Sequence, residues 1–255
     1  MKGAVQRYMV ELRFRGSRYF GWQVQPGHIS VQEVLEKSFS LFFREEIAVT
    51  GAGRTDTGVH AFYYVAHFDA GELPFSPEDT VYKLNRFLPE DISLLSIKPV
   101  AADFHARFSA LSRTYRYLIT REKDPFTTDT SWYYPRPLDV GKMNEAAALL
   151  LSHEDFTSFS KLHTDVKTNI CHVEKASWES DGKKMVFTIT ADRFLRNMVR
   201  AIVGTLLEVG KGKLSVRGFE EIILKKDRCA AGTSVPAHGL FLAGIRYPST
   251  EITHL

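Results

Sequence analysis

Between two apolar runs the chain carries GAGRTDTGVHA, residues 51–61, which puts Arg54 and Asp56 two apart on a bend with glycines at 51, 53 and 58. A lone carboxylate shielded from water and held ionised by a guanidinium can serve as a nucleophile or general base. Glycines permit positive φ and close approach by another molecule, because no Cβ intervenes. The same residues also spell a tight turn in which Arg54 and Asp56 merely pair with each other, and both readings stand at this point. Glycosidase chemistry needs a second acid at a set separation, and no other Asp or Glu lies within the bend. His60 could add an acid or base, although a histidine beside a tight turn more often bonds backbone. The nine histidines show no H-x-x-x-H or H-E-x-x-H spacing, so a metal is not expected.

A second group of chemically useful residues is basic. On a helix expected over residues 193–209, Leu195, Met198, Val199, Ile202 and Leu206 share one face, while Arg193, Arg196, Arg200 and Gly204 form a stripe opposite. Such a stripe usually means a solvated face, but three arginines without interleaved acids also suit phosphate oxygens. RFSALSRTYRYLI adds Arg107, Arg113 and Arg116, with Tyr115 and Tyr117 on one strand face. Aromatics on a sheet beside arginines stack unpaired bases in RNA-binding proteins, or serve as core. Nucleic acid is therefore a candidate partner.

The elements that must position these residues can be read from period and caps. YMVELRFR (8–15) alternates as a strand with one buried face, and Ser30 three before Glu33 is a capping box opening a helix. EIAVT and FYYVAHFDA flank the bend as strands, the second apolar on both faces and therefore central. Ser76–Pro77 starts another helix and DISLLSIKPV is a strand, which completes βαββαβ in the first hundred residues. TYRYLIT, a helix near 140–151 capped by Asp139, a hairpin across SDGKK, the 193–209 helix ended by Gly210, a helix near 216–226 and LFLAGIRY repeat that order. The expectation is an α+β chain of two ferredoxin-like halves, 1–105 with the aspartate loop and 106–255 with the tyrosine and basic helix.

Bulk composition limits the partners. Lys and Arg number 33 against 30 Asp and Glu, a net +3, so basic residues must be gathered on one face to attract a polyanion. Two cysteines without C-x-x-C spacing argue against a disulfide framework and for a reducing cytoplasmic compartment. No apolar run is long enough for a membrane span, and the N-terminus does not read as a signal peptide.

Taken in order, RYFGWQVQ (18–25), SVQEVLE (30–36), GAGRTDTGVHA, LNRFLPEDI (84–92), FHARFSALSRTYRY (104–117), DFTSF (155–159), RFLRNMVRAIVGTLLEVGKG (193–212) and GLFLAGIRY (239–247) resemble the TruA family of tRNA pseudouridine synthases nearly end to end. The resemblance implies the pseudouridine synthase fold, two α+β halves around a basic active-site cleft. It also implies a homodimer that isomerises uridine to pseudouridine at tRNA positions 38, 39 and 40 without cofactor or metal. By the same resemblance Asp56 is the catalytic aspartate and Arg54 the arginine paired with it. Tyr115 is the tyrosine that stacks on the target base, Leu240 an apolar contact to it, and Arg200 an arginine of the cleft. Arg193, Arg196, Lys167 and Arg113 are the candidates for tRNA backbone contact. The chain departs from the family pattern at Arg15, normally acidic, at Thr57, normally alanine, and at Lys167, normally arginine; the last keeps the charge and loses the bidentate fork. Two alternatives remain: a noncatalytic tRNA-binding or RNA-folding protein on this scaffold, and a synthase acting on another RNA.

Overall fold

The computed structural model describes residues 5–161 and 168–248. Contacts group the chain into two compact units, one running to Leu111 and resuming at Leu242, the other from Ser112 to Phe241. The division expected at 105/106 thus falls six residues later, and the last strand returns to the first unit. The reason lies in packing: the Tyr247 hydroxyl donates to the Ala106 carbonyl (2.5 Å), and the Phe104 and Tyr247 rings lie 5.3 Å apart.

The first unit contains β1 (Gln6–Phe14), α1 (Val31–Phe43), β2 (Val49–Gly51), β3 (His60–Ala70), α2 (Pro77–Asn85) and β4 (Ile92–Val100). Its strands are antiparallel in the order β2-β3-β1-β4, so β3 is central, as its two apolar faces require. The Ser30 hydroxyl accepts the Glu33 N–H, and Ser76 does the same for Asp79, so both helices start where their caps lie. Phe39 of α1 meets Phe68 of β3 edge-on, and the Asn85 side chain holds both the N–H and the carbonyl of Leu94 on β4. Strand β1 departs from the single buried face that its alternation suggests. Met9 is fully buried, in a cluster with Val65, Val100, Phe104, Ala106 and Tyr247, because the segment after β4 and the stretch around Tyr247 cover that side of the sheet.

His67 sits at the edge of this cluster, 6% exposed, with Nδ1 accepting the Ala106 N–H. Burial, with Arg7 and His105 nearby, lowers its pKa to about 4, while Asp69 opposes the shift weakly. The folded value is below the unfolded one, so the unfolded chain takes up the extra proton between them. This contribution is complete above about pH 6.5 and is lost as pH falls toward 4. Urea titrations should show about 2 kcal/mol lost to this residue across that window. In His67→Asn, which keeps an acceptor but cannot titrate, the slope between pH 6.5 and 4.5 should flatten; an unchanged slope would remove His67 as its source.

The second unit contains β5 (Ser112–Thr120), β6 (Trp132–Tyr133), α3 (Val140–Leu149), β7 (Val173–Ser180), β8 (Lys184–Ala191), α4 (Met198–Gly210) and α5 (Val216–Lys225); β9 (Leu240–Arg246) begins in it and ends in the first unit. The order β7-β8-β5, all antiparallel, repeats the β2-β3-β1 order of the first unit, which supports the doubled plan. Asp139 caps α3, and Gly182 turns the β7–β8 hairpin at φ +90° with the Asp181 carboxylate holding the Lys183 and Lys184 N–H groups. Strand β6, two residues parallel to β5, has no signal in the sequence pattern.

Helix α4 corrects the sequence reading twice. It begins at Met198, not Arg193, behind Asn197 in the left-handed region, so Arg193 and Arg196 precede it. It also has no solvated face: every residue but Arg200 and Glu208 is buried. The side carrying Arg200 and Gly204 is covered by residues 232–236, and a Cβ on Gly204 would lie 1.9 Å from the Thr233 carbonyl oxygen. Gly210 is not the terminator. It lets α3 approach, since a Cβ there would meet Met143 Sδ at 2.5 Å, and the reversal falls on Gly212 at φ +70°.

Candidate active site

In the first unit the Asp56 bend is built from backbone. The Ala52 N–H donates to the Val65 carbonyl and the Tyr64 hydroxyl to the Gly53 carbonyl (2.5 Å), which fixes the entry. The Val59 N–H closes a turn onto the Asp56 carbonyl at 3.1 Å, with Gly58 at φ +78°. Residues 16–21 press on the other side: a Cβ on Gly16 would meet the Val59 oxygen at 1.9 Å, and one on Gly21 the Thr55 oxygen at 2.1 Å. Asp56 is half-buried on this bend.

The three glycines of the motif have different tasks. Of the three, Gly58 takes positive φ; Gly51 makes room for the chain's own Trp22 and Tyr64, whose stacked rings lie 4.1 Å apart; Gly53 has open space beside it. His60 follows the structural reading, with no exposed surface and Nδ1 accepting the Gly16 N–H at 3.0 Å. Arg54 is exposed beside the half-buried Asp56. Backbone contacts hold the bend.

In the second unit the two strand tyrosines divide as core and surface. Tyr117 is fully buried with its hydroxyl on the Pro236 carbonyl (2.9 Å), and burial raises its pKa. Tyr115 is half-buried, with Phe194 edge-on at 5.1 Å and 88°. Phe194 was legible only as an aromatic amid arginines. Arg200 is gripped from both ends: its Nε donates to the Val235 carbonyl at 2.8 Å and its own carbonyl accepts the Val235 N–H at 3.2 Å. Thr205 Oγ1 accepts the Gly232 N–H, and Arg228 reaches the Gly232 carbonyl and Ser234 Oγ, so the covering segment is tied down along its length. Leu240 is buried at the start of β9.

The remaining basic residues do not form one helical stripe. Arg113 Nη1 donates to the Asp192 carbonyl (2.8 Å) and the Arg193 N–H to the Asp192 carboxylate (2.7 Å), which brings those two together. Arg196 is exposed, its carbonyl holding the Lys161 N–H. Lys167 lies outside the described residues. Among the described residues no group of three or more His, Cys, Asp or Glu side chains is arranged to hold a metal, and no helix is long and apolar enough to cross a membrane.

A family model described as tRNA pseudouridine synthase matches residues 12–109 and 146–248, stretches that hold the Asp56 bend, the 232–236 cover and all of α4. The chain belongs to the tRNA pseudouridine synthase family. Among curated relatives, a tRNA pseudouridine synthase A of Bacteroides fragilis is 55% identical over 246 residues, covering 96% of this chain and 98% of that protein. The Parabacteroides distasonis protein of the same name is 52% identical over 248 residues (96% and 97%), and that of Bacillus licheniformis 41% over 245 residues (94% and 99%). Pseudouridine synthases are isomerases, and the mixed α+β architecture is that of the family.

Proposed function

We propose that this chain isomerises uridine to pseudouridine in tRNA, at positions 38, 39 and 40 of the anticodon stem-loop, with Asp56 as the reacting carboxylate. The observation that carries the reading is a half-buried aspartate on a bend fixed by backbone contacts, in a chain of this family. The reaction balances without an external reagent. The N1–C1′ bond breaks, the uracil turns, C5 joins C1′, the C5 proton leaves to solvent and N1 gains one. Asp56 serves this by attacking the sugar, by attacking the base, or by removing a sugar proton. No cofactor or metal enters that balance.

In this reading Tyr115 stacks on the target base, Leu240 contacts it, and Arg54 and Arg200 bind the nucleotide or its phosphates. A target inside a stem-loop must be flipped out, and stacking offsets part of the unpairing cost. Arg113, Arg193, Arg196 and Lys167 contact the tRNA backbone, anchoring by charge and shape with little base readout, as suits an enzyme that accepts neighbouring positions. The family resemblance supports a homodimer, and two cysteines, one buried and one exposed, both free, suit the cytoplasm.

The purified protein should release tritium from 5-tritiated uridine in tRNA with no added cofactor, and mapping should put the new pseudouridines at 38 to 40. Binding without release from any tRNA bearing uridine there would support a binding protein instead. Release mapped to other positions or another RNA would redirect the substrate.

A further inference from the structure

Tyr19 has no side-chain role in the reading above, yet its backbone carbonyl is joined to the Asp56 bend. It is 4% exposed, and its hydroxyl donates to Asp91 Oδ1 at 2.5 Å. Asp91 stands just before β4 with its side chain 8% exposed; its carbonyl accepts the Arg15 N–H at 2.9 Å and its other carboxylate oxygen lies 3.5 Å from the Arg18 guanidinium. One aspartate therefore holds residues 15–19 by backbone, by a phenol and by a charge.

That segment in turn holds the bend. The Tyr19 carbonyl accepts the Gly58 N–H, two residues beyond Asp56, while Gly16 and Gly21 on either side lie against Val59 and Thr55 without room for a Cβ. The Gly58 bond is long, 3.3 Å, near the limit at which alignment decides whether it contributes. Its geometry follows the Tyr19 backbone, which is held by the phenol bond to Asp91 together with the Tyr19 N–H on the Gly16 carbonyl at 3.0 Å. Gly58 is also the left-handed residue of the turn closed by Val59 N–H on the Asp56 carbonyl, so a shift there re-aims the carboxylate.

We propose that Tyr19, anchored by Asp91, is a positioning residue for the reaction: it fixes the turn that aims Asp56. The inference rests on Asp56 being the reacting carboxylate. Burial and the Asp91 hydrogen bond push the Tyr19 hydroxyl above its ordinary value, so it stays a donor throughout the neutral range.

Tyr19→Phe removes one oxygen and leaves the ring packed. The full-length variant should lose about tenfold in kcat with KM for tRNA within about twofold of wild type, since a small misplacement of a reacting group lowers rate more than binding. Tyr8→Phe is the control. The Tyr8 hydroxyl, equally deep in the same unit, donates to the Gly71 carbonyl at 3.1 Å away from the bend, and its loss should leave kcat unchanged. A wild-type kcat in Tyr19→Phe overturns the proposal, as does an equal fall in Tyr8→Phe, which would mean a general loss of folded protein. Asp56→Asn in the same assay separates the two levels. If it is inactive while Tyr19→Phe is normal, only the positioning role falls; if it is fully active, the assignment of Asp56 falls and this inference with it.

Discussion

Asp56→Asn should reduce tritium release from 5-tritiated uridine in tRNA by at least about 10³-fold while tRNA binding stays as tight as in the unsubstituted protein. The size lies between what a general base contributes and what loss of a nucleophile costs. Asparagine has the shape of aspartate and keeps a carbonyl oxygen, so what the substitution removes is charge. The bend survives the change because its contacts are main-chain: Val59 N–H to the Asp56 carbonyl, Gly58 N–H to the Tyr19 carbonyl, and Gly21 against the Thr55 oxygen. Binding has a sign of its own. Removing a negative charge from a surface that meets a polyanion tightens association or leaves it alone. Single-turnover release beside filter binding at fixed salt measures both, and the variant's release at the wild-type rate would end the assignment of Asp56.

The local elements were legible because their causes are local. Ser30 three before Glu33, Pro77 after Ser76 and the Asp181–Gly182 turn each fix a chain direction by contacts within four residues, and each stands where the sequence puts it. The doubled strand–helix order follows from the same signals. Much of what failed was decided by a distant partner. The arginines at 193, 196 and 200 have the spacing of a stripe, but Asn197 in a left-handed conformation ends the helix before the first two, and Gly204 is small because a segment thirty residues later crosses it. Gly51 and Gly53 look alike in GAGRTD; only the Trp22 and Tyr64 rings, from other parts of the fold, make the first a packing residue and leave the second open. The Asp56 motif itself was visible as types and spacing. What supports it, the segment from Gly16 to Gly21 and the Asp91 behind it, was not, since those contacts join positions some 35 to 75 residues apart.

Gly204→Ala tests the packing that the sequence concealed, and here two effects of opposite sign compete. Alanine within a helix is favoured over glycine by about 1 kcal/mol, so an unobstructed site would gain stability. At Gly204 the added methyl would lie 1.9 Å from a backbone oxygen of Thr233, with Ser234 Cα at 3.7 Å, and no flexible side chain is there to swing away. The segment 232–236 must move by more than an ångström. That stretches the paired bonds between Arg200 and Val235 and the one from Gly232 to Thr205 Oγ1, each worth about 1 kcal/mol, on top of about 1–3 kcal/mol for overpacking. The steric side wins, for a net loss of about 3 kcal/mol or more. Denaturant midpoints at unchanged m-value would report it. Gly53→Ala, with nothing within 4 Å and no positive φ, should stay within about 0.5 kcal/mol and shows what the same methyl does in open space. Because the Arg200 Nε donates to the Val235 carbonyl, its guanidinium moves with the segment. Gly204→Ala should therefore also lose about tenfold in release rate at temperatures where it is fully folded. Wild-type stability in Gly204→Ala would mean that the covering segment does not lie on α4.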